Sequence, residues 1–187
     1  MQVLMSRTID ENDPLTEKIN KCNNFAPDLA VDIHNNAGGG DGFECYYHFK
    51  GGINKALAEN TEKEVIAIGQ NSRGCKTRTN SSGKDYYGFI RQTICPSVIV
   101  EGCFVDNAAD AQIADTIEEQ RAFGVAYAKG ILRTLGIPVN ETPVQNKPNT
   151  DAKFYVQVGA YSQKENAEKQ LEKAKDAGFK DAFIKQF

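Results

Sequence analysis

Apolar residues in this chain fall into short clusters divided by polar stretches, and their spacing alternates between strand-like and helical periods. Val3, Leu4 and Met5 predict a strand over residues 2–6, followed by a turn at Asp10 and Asn12-Asp13-Pro14. Residues 15–23 predict a short helix that must stop before Pro27, because proline disfavours helix in its predecessor. An apolar run over 29–33, interrupted only by Asp32, predicts a central strand closed by His34. Aromatics over 42–49 predict another strand, and 53–68 a helix with Ile53, Leu57, Val65 and Ile68 on one face. Residues 69–92 look like a long polar loop carrying Tyr86, Tyr87 and Phe89, a length usually reserved for function.

The β-branched run 98–100 predicts a strand ending on Glu101. Thr116 and Glu119 form a capping-box pattern, after which Gln120, Phe123, Tyr127, Ile131 and Leu135 recur at helical spacing until Gly136 and Pro138. Alternating strands and helices predict an α/β domain over 1–137, with a mostly parallel twisted sheet flanked by helices. Ligands of such sheets sit beyond the carboxyl ends of the strands, where His34 and Glu101 are both expected.

The pattern then lapses. Residues 138–152 are polar and proline-rich without periodicity, which reads as a linker. Over 153–187 a strand at 154–161, a capping box at Ser162 and Glu165, a helix with Ala167, Leu171 and Ala174 on one face, an exit at Gly178 and a further strand predict a partial β-α-β unit. Such a unit is too small to bury a core alone, and the opening strand reads as one already in progress, so the sequence is expected to be incomplete at both ends.

With 40% hydrophobic and 25% charged residues, the chain has the composition of a globular protein. A net charge of −3 with scattered lysines offers no basic footprint for nucleic acid. No stretch is long and apolar enough to span a bilayer, and no signal-peptide pattern is visible. The cysteines (Cys22, Cys45, Cys75, Cys95 and Cys103) lack a C-x-x-C pair, and an odd number cannot close a full disulfide framework, so reduced, mostly buried thiols are expected. A Cys103 nucleophile would need a histidine beside it.

Glu101 closes a buried strand, where a charge is costly unless something uses it. A metal site would, and so would an ion pair with Arg78 or Arg91. His34 reads either as a ligand or as a hydrogen-bonded loop residue, and His48 as a partly covered residue among aromatics. Gly38, Gly39 and Gly40 fit neither phosphate-binding glycine pattern and read as a turn.

The segments VLMSRTID, APDLAVDIHNNA, GFECYY, NSRGCKTR and PSVIVEGCFVDNAAD, in that order, resemble the zinc-dependent N-acetylmuramoyl-L-alanine amidases of the amidase-3 type over residues 1–136. The most specific parts are Ile33-His34-Asn35-Asn36-Ala37 and Val100-Glu101-Gly102-Cys103-Phe104. The resemblance implies a zinc hydrolase that cuts the amide between N-acetylmuramic acid and the L-alanine of the peptidoglycan stem. It makes His34 a zinc ligand, Glu101 the catalytic glutamate and Glu44 a supporting residue. It also implies a Gly-His-Gly histidine and a helix glutamate as further ligands, neither of which this sequence shows, so weak zinc binding is expected of the chain as it stands. The tail, FYVQVGAY with Ser162, Asn166, Ala167, Gly178 and Phe179, resembles the first half of the SPOR module, which binds glycan strands stripped of stem peptides. Together they imply an extracellular or cell-wall protein whose partner is peptidoglycan. The alternatives are a non-catalytic peptidoglycan-binding protein and a phage-type lysin, against which the SPOR-like tail argues.

Overall fold

The computed structural model describes residues 2–9, 11–139, 163–176 and 184. The chain divides into two compact units, Met1–Glu141 and Thr142–Phe187.

The first unit is an α/β fold. In chain order it contains α1 (Leu15–Phe25), β1 (Ala30–Asn36), β2 (Phe43–Tyr47), α2 (Ile53–Ala67), β3 (Ser72–Lys76), α3 (Gly88–Gln92), β4 (Ser97–Phe104), α4 (Ala108–Gln112) and α5 (Ile117–Thr134). The strands form one sheet in the order β1-β4-β2-β3. β1 runs parallel to β4 and β2 parallel to β3, but β2 is antiparallel to β4. The expectation of a mostly parallel sheet therefore holds for the outer ladders and fails for the central one.

β4 is buried on both sides, which explains its unbroken run of apolar residues. Val98 and Val100 face a core shared with Phe43, Cys45, Leu57, Val65, Phe123 and Tyr127. On the opposite side Ile99 packs with Ile19 of α1 and with Phe89 and Ile90 of α3. The capping box of α5 is formed: Thr116 Oγ1 accepts from the Glu119 amide at 3.2 Å, and Glu119 Oε2 accepts from the Thr116 amide at 2.8 Å. Its glycine at 130 has a packing reason, since a Cβ there would lie 2.6 Å from the Cα of Thr61 in α2.

Several expectations fail in detail. Residues 2–6 form no strand; Val3, Leu4 and Met5 are exposed and pair with no strand among the described residues. The stretch 69–92 is no uninterrupted loop, because β3 and α3 lie within it. Ile53 and Ile68 are exposed, and Leu57, Ala58, Thr61, Glu64 and Val65 form the buried face of α2. Finally, β1 and β4 continue past His34 and Glu101.

In the second unit the described helix is α6 (Lys164–Asp176). Ala174 is buried while Ala167 and Leu171 are partly covered, so the expected face is the covered one. The strands expected on either side of it, with Ser162 and Gly178, lie outside the described residues.

Candidate active site

The antiparallel placement of β2 decides what gathers at the site. Because β1 and β4 are parallel, His34 and Glu101 sit side by side in register. Because β2 runs the other way, its beginning reaches the same row, and Glu44 stands opposite Glu101 on the other side of β4. One row across the sheet thus reads His34, Glu101, Glu44.

His34 is held from within its own strand. Its Nε2 lies 3.1 Å from Asp32 Oδ2, two residues back on the same face, and the other oxygen of Asp32 accepts from Lys18 Nζ of α1 at 2.7 Å. The hydrogen bond to Asp32 pushes the His34 pKa up by more than burial draws it down. Burial works to raise Asp32, but the hydrogen bonds from His34 and Lys18 outweigh it and hold that carboxyl below its ordinary value. The Asp32 contact occupies Nε2 and leaves Nδ1 as the ring nitrogen for another partner, the carboxylate–histidine arrangement that orients metal-binding imidazoles. The His34 side chain is 46% exposed.

Glu101 stands in a different environment. Its Oε2 is buried without a hydrogen-bond partner among the described residues. Burial pushes its pKa up, the charge of His34 opposes this, and the carboxylates of Glu44 and Asp32 add to the rise. The ion pair with Arg78 or Arg91 is not formed: Arg78 lies over the Tyr86 ring, 3.8 Å from its centroid, and Arg91 donates to the carbonyls of Asp85 and Tyr86. A raised carboxyl with one unsatisfied oxygen is suited to taking and returning a proton.

Glu44 is the ionised counterpart. Its Oε1 accepts from Arg73 Nε at 2.6 Å and Lys76 Nζ at 2.5 Å, both on β3, while Oε2 is within reach of Asn36 and Tyr46. Burial works to raise this carboxyl, but the two cations prevail and lower it. Two carboxylates opposed across one ladder are thereby pushed in opposite directions, one toward neutrality and one toward charge.

Other candidates fall away from this row. His48 lies beyond the other end of the β2–β4 ladder, with Nε2 3.2 Å from Asp85 Oδ2. The amides of Gly38 and Gly39 both donate to Asp106 Oδ2, so the glycine turn already holds an anion of its own. Cys103 is buried with its thiol pushed up by that burial, and its Sγ donates to Asn35, which leaves it no histidine to activate it. Asp32, Lys18, Arg73 and Lys76 belong to the site although the sequence reading gave them no role in it. Asp32 was detectable as the one charge in an apolar run, two residues before His34.

A catalytic zinc takes three protein ligands and keeps one position open. No group of three His, Cys, Asp or Glu side chains able to hold a metal ion occurs among the described residues. His34 offers one suitably oriented imidazole, but the described donor set does not by itself complete a zinc centre.

Residues 1–133 match the family described as N-acetylmuramoyl-L-alanine amidase, amidase-3 type. The chain belongs to this amidase family. Zinc dependence is a property of that family, and its members are hydrolases. Residues 150–186 match the SPOR domain. The chain is 30% identical over 186 residues to N-acetylmuramoyl-L-alanine amidase CwlM of Bacillus licheniformis, covering 98% of this chain and 67% of that protein. It is 28% identical over 181 residues to the sporulation-specific N-acetylmuramoyl-L-alanine amidase of Bacillus subtilis (strain 168), covering 96% and 65%. It therefore spans about two thirds of the length of these amidases. Among solved structures, Cwp6 from Clostridium difficile superposes with a TM-score of 0.71 at 35% identity over 72% of this chain and 22% of Cwp6. The catalytic domain of the amidase CwlV from Bacillus (Paenibacillus) polymyxa var. colistinus gives 0.64 at 25% identity over 73% of this chain and 74% of that one.

Proposed function

We propose that this chain serves in the hydrolysis of the amide between N-acetylmuramic acid and L-alanine in peptidoglycan, with Glu101 as its catalytic carboxylate and His34 as the imidazole it offers to zinc. The observation that carries the reading is the buried, unpartnered Oε2 of Glu101 in register with His34. Zinc, when bound, supplies Lewis-acid polarisation of the amide. Glu101 takes a proton from the attacking water and returns it to the departing amine of L-alanine, and burial, which pulls its pKa upward, strengthens it as a proton acceptor. Asp32 fixes the His34 ring, and Glu44, locked as an anion by Arg73 and Lys76, keeps the neighbouring charge constant.

On this reading residues 1–137 are the catalytic domain, 138–152 a linker and 153–187 a SPOR-type module that holds glycan already stripped of stem peptides. Tethering raises the local concentration of the enzyme along its own product. The setting is the bacterial cell wall or its exterior; no helix among the described residues is long and apolar enough to cross a membrane.

The test is incubation with purified peptidoglycan and zinc, followed by labelling of newly exposed amino termini. Release of L-alanine amino termini supports the proposal. Binding to the peptidoglycan without any release, in protein shown to hold zinc, overturns it in favour of a non-catalytic wall-binding protein.

A further inference from the structure

Cys22 and Cys95 stand 73 positions apart in the sequence, yet their sulfurs are 3.8 Å apart. Cys22 lies near the end of α1, and Cys95 in the turn between α3 and β4. The approach is fixed by the residue next door. Asn23 clamps the same turn from both ends, its Nδ2 donating to the Gln92 carbonyl and its Oδ1 accepting from the Ile94 amide, each at 3.0 Å. On the far side of the turn, the hydroxyls of Thr93 and Ser97 meet at 2.7 Å. A disulfide needs its sulfurs about 2.05 Å apart, so closure asks for roughly 1.8 Å of sulfur movement, within the range of side-chain rotation.

Three thiols are partly exposed, Cys22, Cys75 and Cys95, and this pair brings two of them together, whereas Cys45 and Cys103 are buried. Cys75 stands in register with the buried Cys45, and its Sγ donates to Glu62.

We propose that Cys22 and Cys95 form a disulfide on exposure to a low-molecular-weight disulfide, stapling the end of α1 to the turn that leads into β4. One cysteine, as thiolate, attacks the small disulfide, breaks its S–S bond and releases one small thiol. The second cysteine, as thiolate, then attacks the mixed disulfide and releases the other. Two protons leave the protein, two electrons pass to the oxidant, and one S–S bond replaces another. All five cysteines are free in this structure, as expected, and the bond forms only on oxidation.

The staple has a mechanical consequence. α1 carries Lys18, which holds Asp32 behind His34. Of α1, only Ile19 is fully buried, and its N-terminus has no side-chain cap. A covalent tie at its far end fixes one wall of the site. Burial raises both thiols, Cys95 to about 12, so exchange is slow at neutral pH and accelerates in alkali.

The test is to incubate the full chain with oxidised glutathione at alkaline pH, quench with acid and count free thiols after denaturation. The count is expected to fall from five to three in monomeric protein. Tm is expected to rise by at least about 5 °C and to return on reduction with dithiothreitol. Cys22→Ser and Cys95→Ser should each resist oxidation, while Cys103→Ser still loses two thiols. A count that stays at five in the unmodified chain overturns the proposal and depends on no variant. So does a cross-link that survives either serine substitution, or one that joins two molecules.

Discussion

His34 and Glu101 are register partners on adjacent parallel strands, and the two side chains face opposite fates: the imidazole is gripped by Asp32, while one carboxylate oxygen of Glu101 is buried with nothing to bond. An unsatisfied buried polar atom costs about 1–3 kcal/mol. In this protein that cost falls on Glu101, the register partner of His34.

Asp32→Asn keeps the shape of the side chain and removes the charge that faces both His34 and Lys18. Zinc affinity is expected to fall by about 10- to 100-fold, the usual effect of losing a partner that orients a metal-binding histidine. Titration calorimetry with zinc checks this. Unchanged affinity would mean that Asp32 only anchors α1 through Lys18.

The Glu44 cluster predicts a pH dependence of stability. Glu44 is opposed by Glu101 on β4, held by Arg73 and Lys76 on β3 and flanked by Tyr46 on its own strand, with the cations prevailing over burial to depress its pKa. A depressed carboxylate contributes stability that is fully present above its unfolded pKa of about 4.3 and is lost as pH falls through the lower folded value. Glu44→Gln should therefore be less stable than the parent at pH 7, by about 1 kcal/mol because both cations are substantially exposed. The gap should narrow progressively as pH falls below about 4.3. Urea denaturation at pH 7 and across this acid range reads the difference, and a gap independent of pH would contradict the assignment.

Gly130→Ala sets helix propensity against packing. Alanine is favoured by about 1 kcal/mol inside a helix. Its Cβ, however, would meet the Thr61 Cα and Oγ1 at 2.6 Å and the Thr61 amide nitrogen at 2.8 Å, and backbone cannot swing aside as a side chain does. Overpacking of this kind costs about 1–3 kcal/mol, so a net loss of stability is expected. A urea midpoint equal to or above the parent's would show that α2 and α5 can separate freely.

Legibility in the sequence tracked burial. α5 was readable because one apolar face and both halves of its capping box lie in a single stretch. β3 was not, because Ser72–Lys76 is an edge strand of partly covered residues with no apolar alternation. The opposite error occurred at 2–6, where Val3, Leu4 and Met5 have strand-like composition but no neighbouring strand to complete a ladder. His34 and Glu101 stood out as charged or titratable residues after apolar runs. Arg73 and Lys76 stayed hidden with the strand that carries them, and the antiparallel turn of β2 that brings Glu44 to Glu101 leaves no local mark in the sequence.

The most direct test of the central assignment is the rate of L-alanine amino-terminus release from peptidoglycan, normalised per bound zinc, for the parent chain and for Glu101→Gln. The substitution keeps size and removes the proton acceptor, so zinc content should be unchanged and the normalised rate should fall by at least about 100-fold. Equal normalised rates in the two proteins would contradict the role assigned to Glu101.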